Sequence, residues 1–392
     1  MSTPGRNTSW RGRPAAAAYA SHLLFGIVMA LLGAILPTLA SRIGLDLARA
    51  GALFLVMNAF LLVSSLGLGP FMDRFGMKPP LVAGSLLAGA GLAMVALARD
   101  YQAVAWGAAV LGLGGGALNT GGNTLVADLH QAQQARSAAL NRLGVFFGIG
   151  ALLIPLAIGL LLQAAELGSI LLGGAGLCAA VALHNALVSL PPPKRQRHVP
   201  LADVVRLARE PLVLVFAALL FLQSGNEFVA GGYVSSFLVR ESGLSVREAS
   251  WALAGYWAAL MLARIVLSRV ALRVDGPRLL VLCALASAAG TALLVSSRHP
   301  AVAVVAVAWM GAGLAGIFPT SLGIVGARHP ALTGTVFGLL ITAGLTGGML
   351  LPWLTGLLGE AHGLRPAMAL VALQCLAIAA LAARAGRLRQ SG

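Results

Sequence analysis

Gln223, Asn226 and Glu227 stand at i, i+3 and i+4 in the stretch Phe221–Phe237, FLQSGNEFVAGGYVSSF. On a helix that spacing puts all three on one face. Two amides and a carboxyl at neighbouring heights offer donors and acceptors together, a set suited to the hydroxyls of a polyol. The alternative is a structural cluster whose members satisfy one another between helices. Of the 12 Asp and Glu, Glu227 alone falls inside an apolar segment. An ionisable group in that setting marks a substrate or ion pathway by default.

A second polar pair, Asn119 and Asn123, is again spaced i, i+4, with Thr120 and Thr124 beside it. Asparagine is a poor residue for a helix interior, so the pair reads either as substrate contact or as hydrogen-bonding glue between helices. Asn141 and Asn58 are lone amides in other apolar stretches. Sugar rings expose C–H faces that stack on aromatic side chains. Tyr256, Trp257 and Trp353 are the candidates for that role, although such residues also serve in packing and interfacial belts. Thr342 and Thr346 lie one turn apart on another apolar stretch. His22, seven residues into the first apolar run, can relay protons near neutrality or sit satisfied near the headgroups. Arg264 is read as structural, snorkelling or pairing with a carboxylate, and His184 as a hydrogen-bonding core residue. Cys178, Cys283 and Cys375 have no metal-ligand spacing and read as small buried hydrophobes.

The elements that carry these residues follow from composition. Hydrophobic residues make up 58% of the 392-residue chain and charged ones only 10%. That supply cannot build a solvated surface, so most of the surface must face lipid. Apolar segments of about 20 residues are long enough to span a bilayer as helices. Twelve are found, at 15–40, 49–70, 80–98, 102–127, 138–163, 167–190, 211–238, 248–267, 277–296, 300–326, 333–358 and 364–383. The first follows Arg6, Arg11 and Arg13 and exceeds the core of a signal peptide, so it is read as a retained span.

Charge sets the expected orientation. With the N-terminus in the cytoplasm, 19 of the 27 Lys and Arg fall on the cytoplasmic side and 7 outside, leaving Arg264. The asymmetry places both termini in the cytoplasm. It also accounts for the net charge of +15 without nucleic acid. The longest polar connection, Pro191–Glu210, is read as a cytoplasmic basic linker. It separates an N-terminal six-helix bundle at 1–190 from a C-terminal one at 211–392. The halves echo each other: Gly112–Leu125 faces Gly311–Leu322 in order, and the glycines and proline of the fifth span have counterparts in the eleventh. Such parallel repeats place a substrate site between the halves near the midplane.

The second span ends in Gly69-Pro70-Phe71-Met72-Asp73-Arg74-Phe75-Gly76-Met77-Lys78. This resembles the loop signature of the major facilitator superfamily between helices two and three. Asp73, Arg74, Gly76 and Lys78 match it as a conformational-gate loop, and Met77 departs from it where a basic residue is usual. Over most of the chain the sequence is similar to the fucose–galactose–glucose:proton symporter branch. The resemblance is carried by Ala117–Asn123, Phe146–Ala151 with Pro155, Ser224–Glu227 with Gly231-Gly232-Tyr233, and Ile317–Thr320. That branch uses a glutamate on helix four and an aspartate on helix one. Here the fourth span has Asn119, and the first span carries no carboxylate.

The resemblance implies an all-α membrane protein of twelve helices in two pseudo-symmetric bundles. It implies a secondary transporter working by alternating access, most simply a hexose:proton symporter, not an enzyme. Substrate would be met by Asn119, Asn123, Asn141, Gln223, Asn226, Glu227, Tyr256, Trp257, Thr342, Thr346 and Trp353. Proton coupling would fall to Glu227, with His22 as relay. No cofactor or metal is expected: the proton gradient supplies energy, with sodium as the alternative ion. The chain is expected to act as a monomer in a bacterial inner membrane, with a small-molecule substrate and the bilayer as partners. Rival readings are a proton-coupled exporter of drugs or metabolites and a non-transporting receptor or scaffold.

Overall fold

The computed structural model describes residues 12–130, 133–192, 201–271, 273–330 and 332–390, all helix and short connections. In chain order the helices are α1 (Gly12–Ile43), α2 (Leu47–Phe75), α3 (Lys78–Leu97), α4 (Tyr101–Leu129), α5 (Gln133–Leu161), α6 (Leu167–Leu187) and α7 (Leu201–Ala208). There follow α8 (Pro211–Ser242), α9 (Val246–Val270), α10 (Gly276–Ser296), α11 (Pro300–Leu314), α12 (Ile317–Arg328), α13 (Thr333–His362) and α14 (Leu364–Gln390). Twelve spans are long and apolar enough to cross a membrane, the tenth being Pro300–Arg328 with a break inside it. Every expected span is present, with ends moved by a few residues. The linker region contains one short helix, α7, at 201–208; residues 193–200 lie outside the described part.

The outward faces are apolar. Leu66, Leu97, Leu183, Leu187, Leu262 and Leu373 are each at least 60% exposed, a surface that belongs in lipid.

The chain groups into two compact units. The first comprises Met1–Met29, Phe60–Ala151 and Gly168–Gln196. Here α3 and α4 approach through small residues: a Cβ on Gly114 would fall 2.6 Å from the Ala88 nitrogen. In lipid, where apolar burial gives helices no net attraction, such close approach is what holds them together. Ala17, Ala18, Met72, Met77, Leu81, Leu125 and Leu143 form a buried cluster that seats the α2–α3 turn. In that turn Gly76 takes φ +79°, a left-handed conformation that favours glycine, and its N–H donates to Met72 O at 2.8 Å.

The second unit comprises Ala30–Ala59, Leu152–Leu167 and Arg197–Gly392. It thus takes in the end of α1, the start of α2 and the end of α5 as well as α7–α14. Gly33 lies against Gly231 of α8, and Phe54 packs 5.6 Å from Tyr233. The Leu47 N–H, an unpaired donor at the start of α2, is taken by Glu360 Oε2 at 2.9 Å. At the end of α5, Gly159 faces the Trp251 ring of α9.

Candidate functional site

Gln223, Glu227 and Arg264 of the second unit gather around the break in the tenth span. Proline has no N–H, so Pro319 cannot donate to the carbonyl four residues before it, and its ring crowds that carbonyl. The carbonyl is that of Ala315, and α11 ends beside it at Leu314. Two side chains supply what the helix lacks. Arg264 Nε of α9 donates to Ala315 O at 3.3 Å, and Gln223 Nε2 of α8 donates to Leu314 O at 3.3 Å. The same two side chains hold Glu227. Gln223 Nε2 donates to Glu227 Oε2 at 3.2 Å, and Arg264 Nη2 lies 3.7 Å from Glu227 Oε1. Glu227 stands halfway along α8, its side chain 14% exposed, with Arg264 at 29%.

Asn226 parts from its neighbours. It is fully buried and donates through Nδ2 to Cys375 Sγ of α14 at 3.4 Å; Cys375 in turn reaches Ser287 Oγ of α10 at 3.5 Å. The i+3 and i+4 positions of a helix differ by about 100°. That angle turns Asn226 to α14 and leaves Glu227 toward α9. Tyr256 and Trp257 are buried, their rings 5.1 Å apart edge to face. The Tyr256 hydroxyl has no hydrogen-bond partner among the described residues. Thr346 Oγ1 donates back to Thr342 O at 2.8 Å on their own helix, and both are half-buried. Trp353 is half-buried, its backbone close to Gly51.

In the first unit a second cluster joins α1 to α4. Asn123 Nδ2 lies 3.3 Å from His22 Nε2 and donates to Asn119 Oδ1 and Asn119 O, both at 2.9 Å. His22 is buried with its ring edge-on to Phe25. It fits because residue 122 is glycine: a Cβ there would sit 2.5 Å from His22 Nδ1. The i, i+4 spacing of the asparagines therefore does bring them together, with His22 as the third member. Asn58 is buried and bonds its own helix at Phe54 O. Arg74 lies over the Phe75 ring at 5.2 Å in the gate loop, and Lys78 opens α3 exposed. The side chains of Asp73 and Asn141 lie outside the described part.

Two stretches of the chain, residues 18–237 and 216–391, each match the Major Facilitator Superfamily. The chain belongs to this superfamily. As a facilitator-superfamily protein it is a multi-pass membrane protein, and its family points to a transporter. The rat vesicular acetylcholine transporter is 33% identical over 136 residues, which cover 33% of this chain but only 24% of that relative. The chain thus matches about a quarter of the length of that curated relative. A bacterial homologue of the human lysosomal transporter Spinster, inward-facing and unoccupied, superposes with a TM-score of 0.79 at 16% identity, covering 97% of this chain and 98% of that one. The E. coli fucose:proton symporter superposes with a TM-score of 0.66 at 19% identity, over 96% and 99%. At these identities the structural likeness establishes the fold.

Sequence reasoning placed Gln223 and Glu227 together but missed what they hold. The signal was present in Pro319: a proline inside a span leaves a carbonyl open, and Arg264 on a neighbouring helix is a ready donor. It also passed over Asn185, which is buried in the first unit and donates to Ser21 Oγ at 3.0 Å, with Ser85 Oγ and Leu81 O at 3.5 Å.

Proposed function

We propose that this facilitator-superfamily chain moves a small hydroxyl-rich solute, in the preferred case a hexose, by alternating access in symport with protons. The observation that carries the reading is Glu227, a carboxylate halfway along a span and away from its ends, held between an amide and a guanidinium. When ionised it is paired with Arg264. On taking up a proton it no longer holds Arg264 by charge, and a neutral carboxyl crosses an apolar closed state at far lower cost. Gln223, Asn119 and Asn123 supply amide donors and acceptors for substrate hydroxyls. His22, in contact with Asn123, serves as a relay for the proton. The cycle rocks the halves 1–190 and 211–392 against each other in a bacterial inner membrane, both termini cytoplasmic. The gate loop Asp73, Arg74, Gly76 and Lys78 works at the cytoplasmic side. Uptake of labelled sugars into proteoliposomes, with and without an imposed pH gradient, tests the reading. Gradient-independent uptake by the wild type, or no uptake of any sugar, overturns it.

A second reading is proton-coupled export of a drug or metabolite. It is favoured by the partial likeness to a transporter named for acetylcholine, a cation that a carboxylate such as Glu227 can meet. Arg264 beside Glu227 weighs against a cationic cargo. A thermal-shift screen of the purified protein against sugars, nucleosides, amino acids and cationic drugs separates the two.

A further inference from the structure

We propose that Arg264 and Gln223 are positioning residues that tie the charge of Glu227 to a hinge in the tenth span, at the break between α11 and α12. This rests on the reading of Glu227 as the proton site.

The geometry is a pair of parallel arms. From Glu227 Oε2 one arm runs through Gln223 Nε2 (3.2 Å) to Leu314 O (3.3 Å). From Glu227 Oε1 the other runs through Arg264 Nη2 (3.7 Å) and Nε to Ala315 O (3.3 Å). One carboxylate is thereby joined to two successive carbonyls at the end of α11. The Ala315 carbonyl depends on its arm, since Pro319 brings no N–H. The chain bends tightly here, with the Ala315 N–H reaching back to Ala312 O at 3.4 Å in a three-residue turn. Gly316 follows, packed against Leu267 and Cys283, and α12 restarts at Ile317.

Arginine donates only, so its place between carboxylate and carbonyl is set by the charge it faces. The other groups facing Glu227 do not replace that charge. α9 brings Arg264 and the Tyr256 phenol, while the Cys375 thiol of α14 is turned to Asn226. The break brings only carbonyls. The ionisable residues of α13, Glu360 and His362, are in its last turn, and the arginines of α14 stand near its two ends. When Glu227 takes a proton, the Arg264 arm slackens, Ala315 O loses its donor, and α12 is released relative to α11. Substrate oxygens can then compete for the freed guanidinium, which would make proton and solute arrive at the hinge together.

Hydrogen–deuterium exchange on the full-length protein in nanodiscs, at one pH, reads the hinge without substrate. Glu227→Gln, which mimics the neutral carboxyl, and Arg264→Gln should each raise exchange across residues 314–320 by about tenfold. Pro319→Ala supplies the missing N–H, so in that background Arg264→Gln should change exchange by less than about twofold, a non-additivity that a merely structural arginine would not show. Unchanged exchange in both single variants, with melting curves showing folded protein, overturns the hinge. So does an Arg264→Gln effect undiminished by Pro319→Ala. Gradient-driven uptake by Glu227→Gln reads the proton site separately. Lost uptake with an unmoved hinge overturns the hinge alone, and retained uptake with a moved hinge overturns the proton site alone.

Discussion

Two arginine–carboxylate pairs of the second unit, Arg365–Glu241 and Arg264–Glu227, differ in how completely each is tied down. Arg365, at the start of α14, donates through Nε to Glu241 Oε2 at 3.1 Å and through Nη2 to Glu241 O at 3.1 Å. Its Nη1 takes Val295 O at 2.6 Å and Ser297 O at 3.0 Å, and the guanidinium lies over Phe237 at 5.4 Å. Those carbonyls are the open ones at the end of α10, so the arginine joins three helix ends in a single geometry. Arg264 has one carbonyl at 3.3 Å and one carboxylate oxygen at 3.7 Å. Both pairs are partly exposed, 22% and 28% for Arg365 and Glu241 against 29% and 14% for Arg264 and Glu227. Burial therefore does not separate them; the number and length of bonds do. A rivet uses most of its donors at short range, four bonds here, and a switch leaves its charge pair long and its donors few, so that one proton can decide the outcome.

The largest effect on folding is expected at the rivet. Arg365→Ala strands Glu241 and two carbonyls and should lower stability by about 3 kcal/mol, read as an earlier thermal unfolding transition in detergent. Glu227→Gln should leave that transition nearly in place, with a cost of about 1 kcal/mol or less, because the pair it removes is long and partly solvated. Its effect belongs in transport, where accumulation driven by a pH gradient should fall by at least about tenfold. Gly122→Ala sharpens the contrast from the first unit: pushing His22 off Asn123 should cost about 1–3 kcal/mol by overpacking and slow uptake in proportion. The smallest change is expected for Pro319→Ala, which restores a helical donor and should shift stability by less than about 1 kcal/mol while slowing turnover. Equal losses of stability at Arg365 and Arg264 would erase the distinction between rivet and switch.

Much of the fold is legible in the sequence because lipid simplifies the physics. A span must close its backbone hydrogen bonds internally, so about 20 apolar residues mean one helix. The twelve spans, the tight turn at Gly76 and the mid-span carboxylate Glu227 can all be read that way. The site is less legible, because side-chain direction within a helix is settled by tertiary neighbours. Asn226 shares a nominal face with Gln223 and Glu227, yet it goes to Cys375. Tyr256 and Trp257 look like stacking platforms, yet both are enclosed. The partner of Arg264 lies 37 positions away in sequence and its carbonyl 51, separations that no periodicity encodes. The Asn119–Asn123 contact was readable because both residues sit on one helix, one turn apart.

Paired measurements in proteoliposomes test the central claim most directly: solute exchange without a gradient and solute accumulation driven by a pH gradient, for wild type and Glu227→Gln. The account expects the variant to exchange solute across the membrane while failing to concentrate it, since the proton site is lost and the rocking cycle is not. Accumulation by Glu227→Gln at the wild-type level would contradict it.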